Sequence, residues 1–332
     1  RGVSGVRKSV ERGFVMATVR DRSMIVNVAR MYYEQDMSQD QIARVLLTSR
    51  SNVSRILSEA KKKGIVEFKV VEHSKRDTDL EQQLVARFGL RTAYVAKVPE
   101  GTDEYQAVGQ IASHVFLNHM KPNAKIALSW GRSLEAMVDE IPENNRPDLT
   151  IIPLIGGMME VPAAINGENL VRVLASRIRA DFKILHSPTI VQSSAVKLAF
   201  MNEPSIKGVI ELAKNADIAF VGIGSKGSTS SQYILEAAGL QEATHRPLFK
   251  NVVGDIACRF YGENGEPVDQ GLESRTVGLA LSEIRKIKKV IGIAVGDDKP
   301  PGVLGALRGN LVTTLITTSA CAKSVLELAG KL

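Results

Sequence analysis

Cysteine is nearly absent from this sequence: Cys258 and Cys321 are the two among 332 residues. Both sit in apolar segments at no metal-ligand spacing, which argues against a disulfide framework and points to a reducing cytoplasm. Aromatic residues are scarce at 5%, with a single tryptophan, Trp130. No apolar run approaches the length that spans a bilayer, and no charged-then-apolar leader pattern opens the chain, so no membrane partner is expected. The five histidines (His73, His114, His119, His186 and His245) fall in no ligand spacing, and His186 reads as the end of a strand. Also missing are a Walker loop, a nucleophile elbow and a Cys-x-x-Cys pair. Neither a metal, a cofactor nor a catalytic residue is therefore expected.

What is present is a lopsided charge. Residues 1–75 hold 15 Lys and Arg against 8 Asp and Glu, whereas the other 257 residues hold 28 of each. The whole net charge of +7 thus belongs to the first quarter, the footprint of a polyanion partner at that end. The opening RGVSGVRKSVERGFV has no helical or strand period. Residues 1–20 are expected to be a disordered arm, or sequence ahead of a start at Met16.

Helical patterns follow in 21–35, where Ile25, Val28, Ala29 and Tyr32 share a face, and in SQDQIARVLL. There Ser38 with Gln41 forms a capping box, and Ile42, Ala43 and Leu46 turn inward. Ser49 caps a third helix that runs to Lys62 and ends at Gly64. The short turn between the last two has the dimensions of a helix-turn-helix. Leu47 stands where that turn commonly has glycine, which predicts a less tightly wound backbone.

On the third helix Val53, Ile56, Leu57 and Ala60 form an inward stripe. Ser51, Arg55 and Ser58 point the opposite way, flanked by Asn52 and Ser54, with Arg50 in the first turn. Arg grips a guanine edge, Asn an adenine edge, and Ser either base or phosphate. Gln39 and Ser49, with Ser38, are placed at helix N-termini to donate to phosphates. Lys61, Lys62 and Lys63 could meet the backbone beyond. Double-stranded DNA is the expected partner. The segment IVEFKVV (65–71) alternates like a strand, and reads as a wing or closing edge. Residues 21–75 are expected to form the DNA-binding domain. Leu80, Leu84, Val85 and Phe88 make 76–90 a connecting or dimer-forming helix.

From residue 91 onward strands alternate with helices, which predicts an α/β domain with a mostly parallel sheet. The expected strands are Ala93–Val98, Lys125–Trp130, Thr150–Ile155, Lys183–His186, Asp217–Val221, Val290–Val295 and Val312–Thr317. Several end in glycine or small polar residues before a helix: SWGRS, LIGG, VGIGS and AVGDDK. Ligands of open α/β sheets bind at strand C-termini, and helix N-termini favour anions. These loops therefore point to a pocket for a small anionic ligand. GIGSKG (222–227) matches G-x-G-x-x-G, but STSSQYILEAAGL is a poor opening helix and no acidic strand end follows, so a nicotinamide site is discounted. Asp255 and Lys299 follow strand-end glycines, where each could serve a ligand or be a helix cap or surface charge.

The motifs SQDQIARVL, SRSNVSRIL, AKKKGIV, SWGRS, LIGG, DIAFVGIGS, VVGDIACRFYGENGEPV, VIGIAVGDDK and ALRGNLVTTLITTSACA occur in that order. With them the chain resembles, from about 21 to 330, the SorC family of bacterial sugar-responsive transcription regulators. The resemblance implies a winged helix-turn-helix on an effector domain like sugar-phosphate isomerases and deaminases. It also implies a homo-oligomer, dimer or tetramer, whose operator affinity shifts with a phosphorylated sugar. By the same resemblance Ser129, Gly131, Arg132 and Ser133 match the phosphate loop, and Asp255 and Lys299 the ligand-contacting acid and lysine. Gly156, Gly157, Gly222 and Gly224 line the cleft by analogy. The family often has Thr-Asp at Thr317-Thr318 and alanine after the lysine, where this chain has Pro300-Pro301; both positions belong to the expected pocket rim. The alternative from another class is a sugar-phosphate isomerase or deaminase with an appended helical module.

Overall fold

The computed structural model describes residues 22–35, 37–66, 75–240, 249–268 and 271–330. The chain divides into two compact units, Arg1–Glu72 and His73–Leu332.

In the first unit α1 (Arg22–Tyr33), α2 (Gln39–Val45) and α3 (Arg50–Lys62) close on one core. Its floor is Ile25, Val28, Ile42, Ala43, Val53, Ile56, Leu57 and Ala60, all buried. Truncating Ile56 to alanine there would cost about 2–5 kcal/mol. The capping box is formed: Ser38 Oγ accepts from Gln41 N–H, and Gln41 Oε1 from Ser38 N–H. Ser49 Oγ accepts from Asn52 N–H and starts α3, and Gly64 leaves it at φ +64°. The turn between α2 and α3 corrects one expectation. Leu47 adopts the left-handed conformation, φ +49°, that glycine would take. The turn is as tight as a glycine turn, and the side chain is thrown out, 95% exposed. Most of the expected strand 65–71 lies outside the described residues.

The second unit opens with α4 (Thr78–Phe88), then β1 (Thr92–Ala96), α5 (Glu104–Leu117), β2 (Lys125–Leu128), α6 (Arg132–Glu140), β3 (Thr150–Pro153), α7 (Gly167–Ile178) and β4 (Asp181–Phe182). There follow α8 (Ser194–Asn202), α9 (Pro204–Lys214), β5 (Ile218–Gly222), β6 (Gly224–Ser225), α10 (Thr229–Ala237), β7 (Gly254–Ile256) and β8 (Arg259–Tyr261). The short α11 (Leu281–Ile284), β9 (Val290–Ile293), α12 (Pro300–Arg308), β10 (Thr314–Thr318) and α13 (Ser319–Gly330) complete it. Seven strands form a parallel sheet in the order β1-β10-β9-β5-β2-β3-β4. Helices α5, α6 and α7 cover one face, and α4, α9 and α13 the other. Leu84 of α4 is fully buried in the second unit's core, so this helix packs within that unit.

Two differences from the sequence reading have local causes. The strand expected at Lys183–His186 pairs earlier, with Asp181 opposite Thr150 and Phe182 opposite Ile151. Lys183 N–H still donates to Ile151 O, but Pro153 has no N–H to return, and the ladder stops. An antiparallel sheet β6-β7-β8 also lies beside the main one. Its strands are too short for a period, and its hairpin turns on Ala257 and Cys258, both left-handed at φ +50° and +59° and neither glycine. The hairpin is held by Arg259, 2% exposed. Its guanidinium donates to the carbonyls of Leu279, Thr276 and Gly278 and to the Glu273 carboxylate.

Candidate functional site

Two places collect the residues singled out by the sequence, one in each unit. In the first, the solvent face of α3 carries Arg50, Ser51, Ser54, Arg55 and Ser58, all exposed, with Asn52 half-buried beside them. Some of these are already engaged. Asn52 Nδ2 donates to Thr48 Oγ1 at 2.8 Å, Ser51 and Ser49 share a hydroxyl contact of 2.9 Å, and Ser58 Oγ donates to Ser54 O. Arg50 lies 3.8 Å from Asp40, both exposed, a contact too solvated to hold it. Among the described residues Arg55 makes no ion pair and stands free on the face's centre line. Gln39 opens α2 as its first residue, half-buried.

In the second unit a cavity of about 720 Å³ opens where β2 and β5 end. These neighbours form the switch point of the sheet. From β2 the chain lays β3 and β4 to one side, and from β5 it lays β9 and β10 to the other. The diverging connections leave a crevice there. Gly131, Arg132, Ser133, Gly222, Gly224, Asp255 and Lys299 all line it. Ser129 lies behind the wall: its N–H donates to Phe220 O and its Oγ accepts from Gly222 N–H, tying the two strand ends together. Gly156 and Gly157 are elsewhere. Gly156 is packed against the backbone of Ser187 and Pro188, and Gly157 lines a separate cavity of about 740 Å³ with Glu168, Arg172 and Ser187. The LIGG loop turns away because Gly157 N–H bonds to Ser187 O, on the β4 side of the sheet.

Three helix N-termini meet at the main cavity: α6 with Gly131 as N-cap, α10 with Ser228, and α12 with Lys299. Gly131 holds φ +114° and ψ +165°, a region open only to glycine. It offers no side chain to cap its own helix, whose first residues Arg132 and Ser133 line the cavity, while the N–H groups of Leu134 and Glu135 return to Gly131 O. Arg132 stacks its guanidinium 4.4 Å from the centre of the Tyr105 ring, keeping its donors clear for an anion. On the opposite wall Asp255 is 3% exposed. Cys258 N–H donates to its carboxylate, yet Oδ1 has no partner among the described residues. Burial pushes this carboxyl up to about 7 against the pull of the nearby Lys299. Gly224 is required here, since a Cβ would overlap the Asp255 carboxylate. Lys299 Nζ binds Asp298 at 3.0 Å, and Ser225 Oγ donates to the same Asp298 at 2.6 Å.

The sequence reading missed Tyr105, Trp130, Glu135, Ser228, Thr229, Ser230, Tyr233 and Asp298, which also line the cavity. The serines had a signal. STSSQYILEAAGL, dismissed as a poor helix opening, is α10, and Ser228 Oγ accepts from Ser231 N–H at its start. Thr317 and Thr318, expected at the rim, are buried instead. Thr317 Oγ1 donates to Ala294 O, and Thr318 Oγ1 accepts from Cys321 N–H at the head of α13. Pro300 and Pro301 are the first two residues of α12, directly after Lys299.

Known proteins agree with both units. The family model described as "Putative sugar-binding domain" matches residues 72–327, and that of the MarR family matches 28–77. The sorbitol operon regulator of Klebsiella pneumoniae is 31% identical over 311 residues, covering 92% of this chain and 98% of that protein. The deoxyribonucleoside regulator of Bacillus subtilis is 26% identical with the same coverage. The crystal structure of the full-length sorbitol operon regulator SorC from Klebsiella pneumoniae superposes with a TM-score of 0.70, at 31% identity over 92% of this chain and 98% of that one. These relatives are regulators and not enzymes, which sets aside the isomerase or deaminase alternative. A helix-turn-helix unit, a sugar-binding unit and alignment along nearly the full length of such a regulator place this chain in the SorC family of bacterial sugar-responsive transcription regulators.

Proposed function

We propose that the chain regulates a carbohydrate-utilisation operon in the cytoplasm, with a phosphorylated sugar as its effector. In this reading α3 enters the major groove of double-stranded operator DNA. Arg55, Ser51, Asn52, Ser54 and Ser58 face base edges, while Gln39, Ser49 and Arg50 sit against phosphates. The effector fills the cavity at the switch point. Its phosphate lies on the open N-terminus of α6 with Arg132 and Ser133, and its hydroxyl groups reach Asp255 and Lys299. Binding then biases a homo-oligomer between arrangements of different operator affinity. The names of the relatives support the operon and the sugar. The observation that carries the effector site is the pairing of a helix N-terminus without a side-chain cap and a buried carboxyl oxygen that has no partner among the described residues.

Two measurements test it. A thermal-shift screen against sugar phosphates should raise the melting temperature for the true effector, since a ligand of the native state stabilises it by mass action. Arg55→Ala should cost about 1–3 kcal/mol of sequence-specific operator affinity in a gel-shift titration. An unchanged affinity would remove Arg55 from the recognition surface.

A further inference from the structure

The three helix N-termini at the cavity are not equivalent. That of α6 is capped by glycine with no side-chain hydrogen bond. That of α10 is closed by its own Ser228, whose Oγ accepts from Ser231 N–H and also meets Ser230 Oγ at 2.7 Å. That of α12 has proline at its first two positions, Pro300 and Pro301, neither with an N–H. Of the three, α6 alone has neither a side-chain cap nor a proline in its first turn, which leaves the N–H groups of Arg132 and Ser133 for an anion.

The charges are divided in the same way. Arg132 stands at the α6 end, stacked on Tyr105, and makes no ion pair among the described residues. Lys299, its side chain 12% exposed, is bound to Asp298, and the carboxylates of Asp255 and Asp298 line that part of the cavity with it. Glu135, on α6 itself, lies at the Arg132 end instead. A second phosphate would meet the Asp298 carboxylate, and that of Asp255 once it ionises, with no amide cradle to offset the repulsion. A sugar hydroxyl suits the same place, because it can donate to the unpaired Asp255 Oδ1 and accept from Lys299.

We infer that the cavity selects a sugar derivative carrying one phosphate, at one end, and rejects the corresponding bisphosphate. This rests on the phosphorylated-sugar reading above. The test is calorimetric titration of the full chain with matched sets: fructose, fructose 6-phosphate and fructose 1,6-bisphosphate, and ribose, ribose 5-phosphate and ribose 1,5-bisphosphate. In each set that binds, the monophosphate should bind about tenfold or more tightly than its bisphosphate, the scale of like-charge rejection. A bisphosphate that binds equally or better overturns the inference and leaves the phosphate reading standing. Free sugars that bind as well as their monophosphates, or no binding by any phosphorylated compound, overturn the phosphate reading and this inference with it. The double variant P300A/P301A restores two amide donors to α12 and should narrow the gap to roughly threefold. An unchanged gap in that variant overturns the role given to the prolines.

Discussion

Leu47 and Asp255 hold conformations or charge states that a side chain of their kind usually avoids. Leu47 sits left-handed with its side chain in solvent, at a cost of about 1–3 kcal/mol. Leu47→Gly should therefore stabilise the first unit, by roughly 0.5–2 kcal/mol once the looser unfolded chain is set against the relieved strain. Chemical denaturation followed by helix signal would read the shift; a destabilised variant would mean that the exposed leucine makes a contact of its own. Asp255 carries a folded-state pKa of about 7, far above the roughly 3.9 of an unfolded aspartate. The native state thus holds this proton more tightly than the unfolded chain. Its contribution to stability is full at acid pH and is lost as the pH rises towards about 7. Asp255→Asn removes that dependence, so its melting temperature should gain on the parent's between about pH 5 and pH 7 and run parallel above. A constant difference across that range would contradict the assignment. At this scale the sequence was only partly legible. The capping box of Ser38 and Gln41 is a local rule and could be read directly. The left-handed Leu47, Ala257 and Cys258 could not, because tertiary packing imposes those angles against the residues' own preference.

Among the elements, α6 depends most on a single position. Gly131 keeps the strand-to-helix corner that aims its N-terminus at the cavity. An added Cβ would meet open space, so the penalty of Gly131→Ala is conformational rather than steric crowding. That variant should lose about 1–3 kcal/mol of stability and bind a phosphorylated effector more weakly, as thermal shift with and without ligand would show. Strands β1, β2, β3, β5, β9 and β10 were readable because they are apolar runs between helical patterns. The β6-β7-β8 hairpin region was not: Asp255 could be singled out only as a residue after a glycine, and its depth comes from packing against α12. The two loops LIGG and VGIGS look alike in sequence. They part in the structure because β5 borders the switch point and β3 does not.

Across the whole molecule, the basic excess belongs to the residues before 76, and the cavity belongs to the neutral remainder. The basic excess and the cavity thus lie on different stretches of chain, and mutations should separate the roles proposed for them. Lys299→Ala should leave operator affinity unchanged while removing its response to effector. A gel shift with and without ligand tests this, and equal sensitivity in variant and parent would take Lys299 out of the sensing role. Trp130 offers a last consequence. It is the single tryptophan of the chain, it lines the cavity, and its indole N–H donates to the buried Cys258 sulfur. All indole emission of these 332 residues therefore originates at one wall of this cavity, beside the Cys258 sulfur. The molecule carries its own optical probe, so under excitation that spares tyrosine the arrival and departure of a ligand in this cavity can be followed in real time without a label.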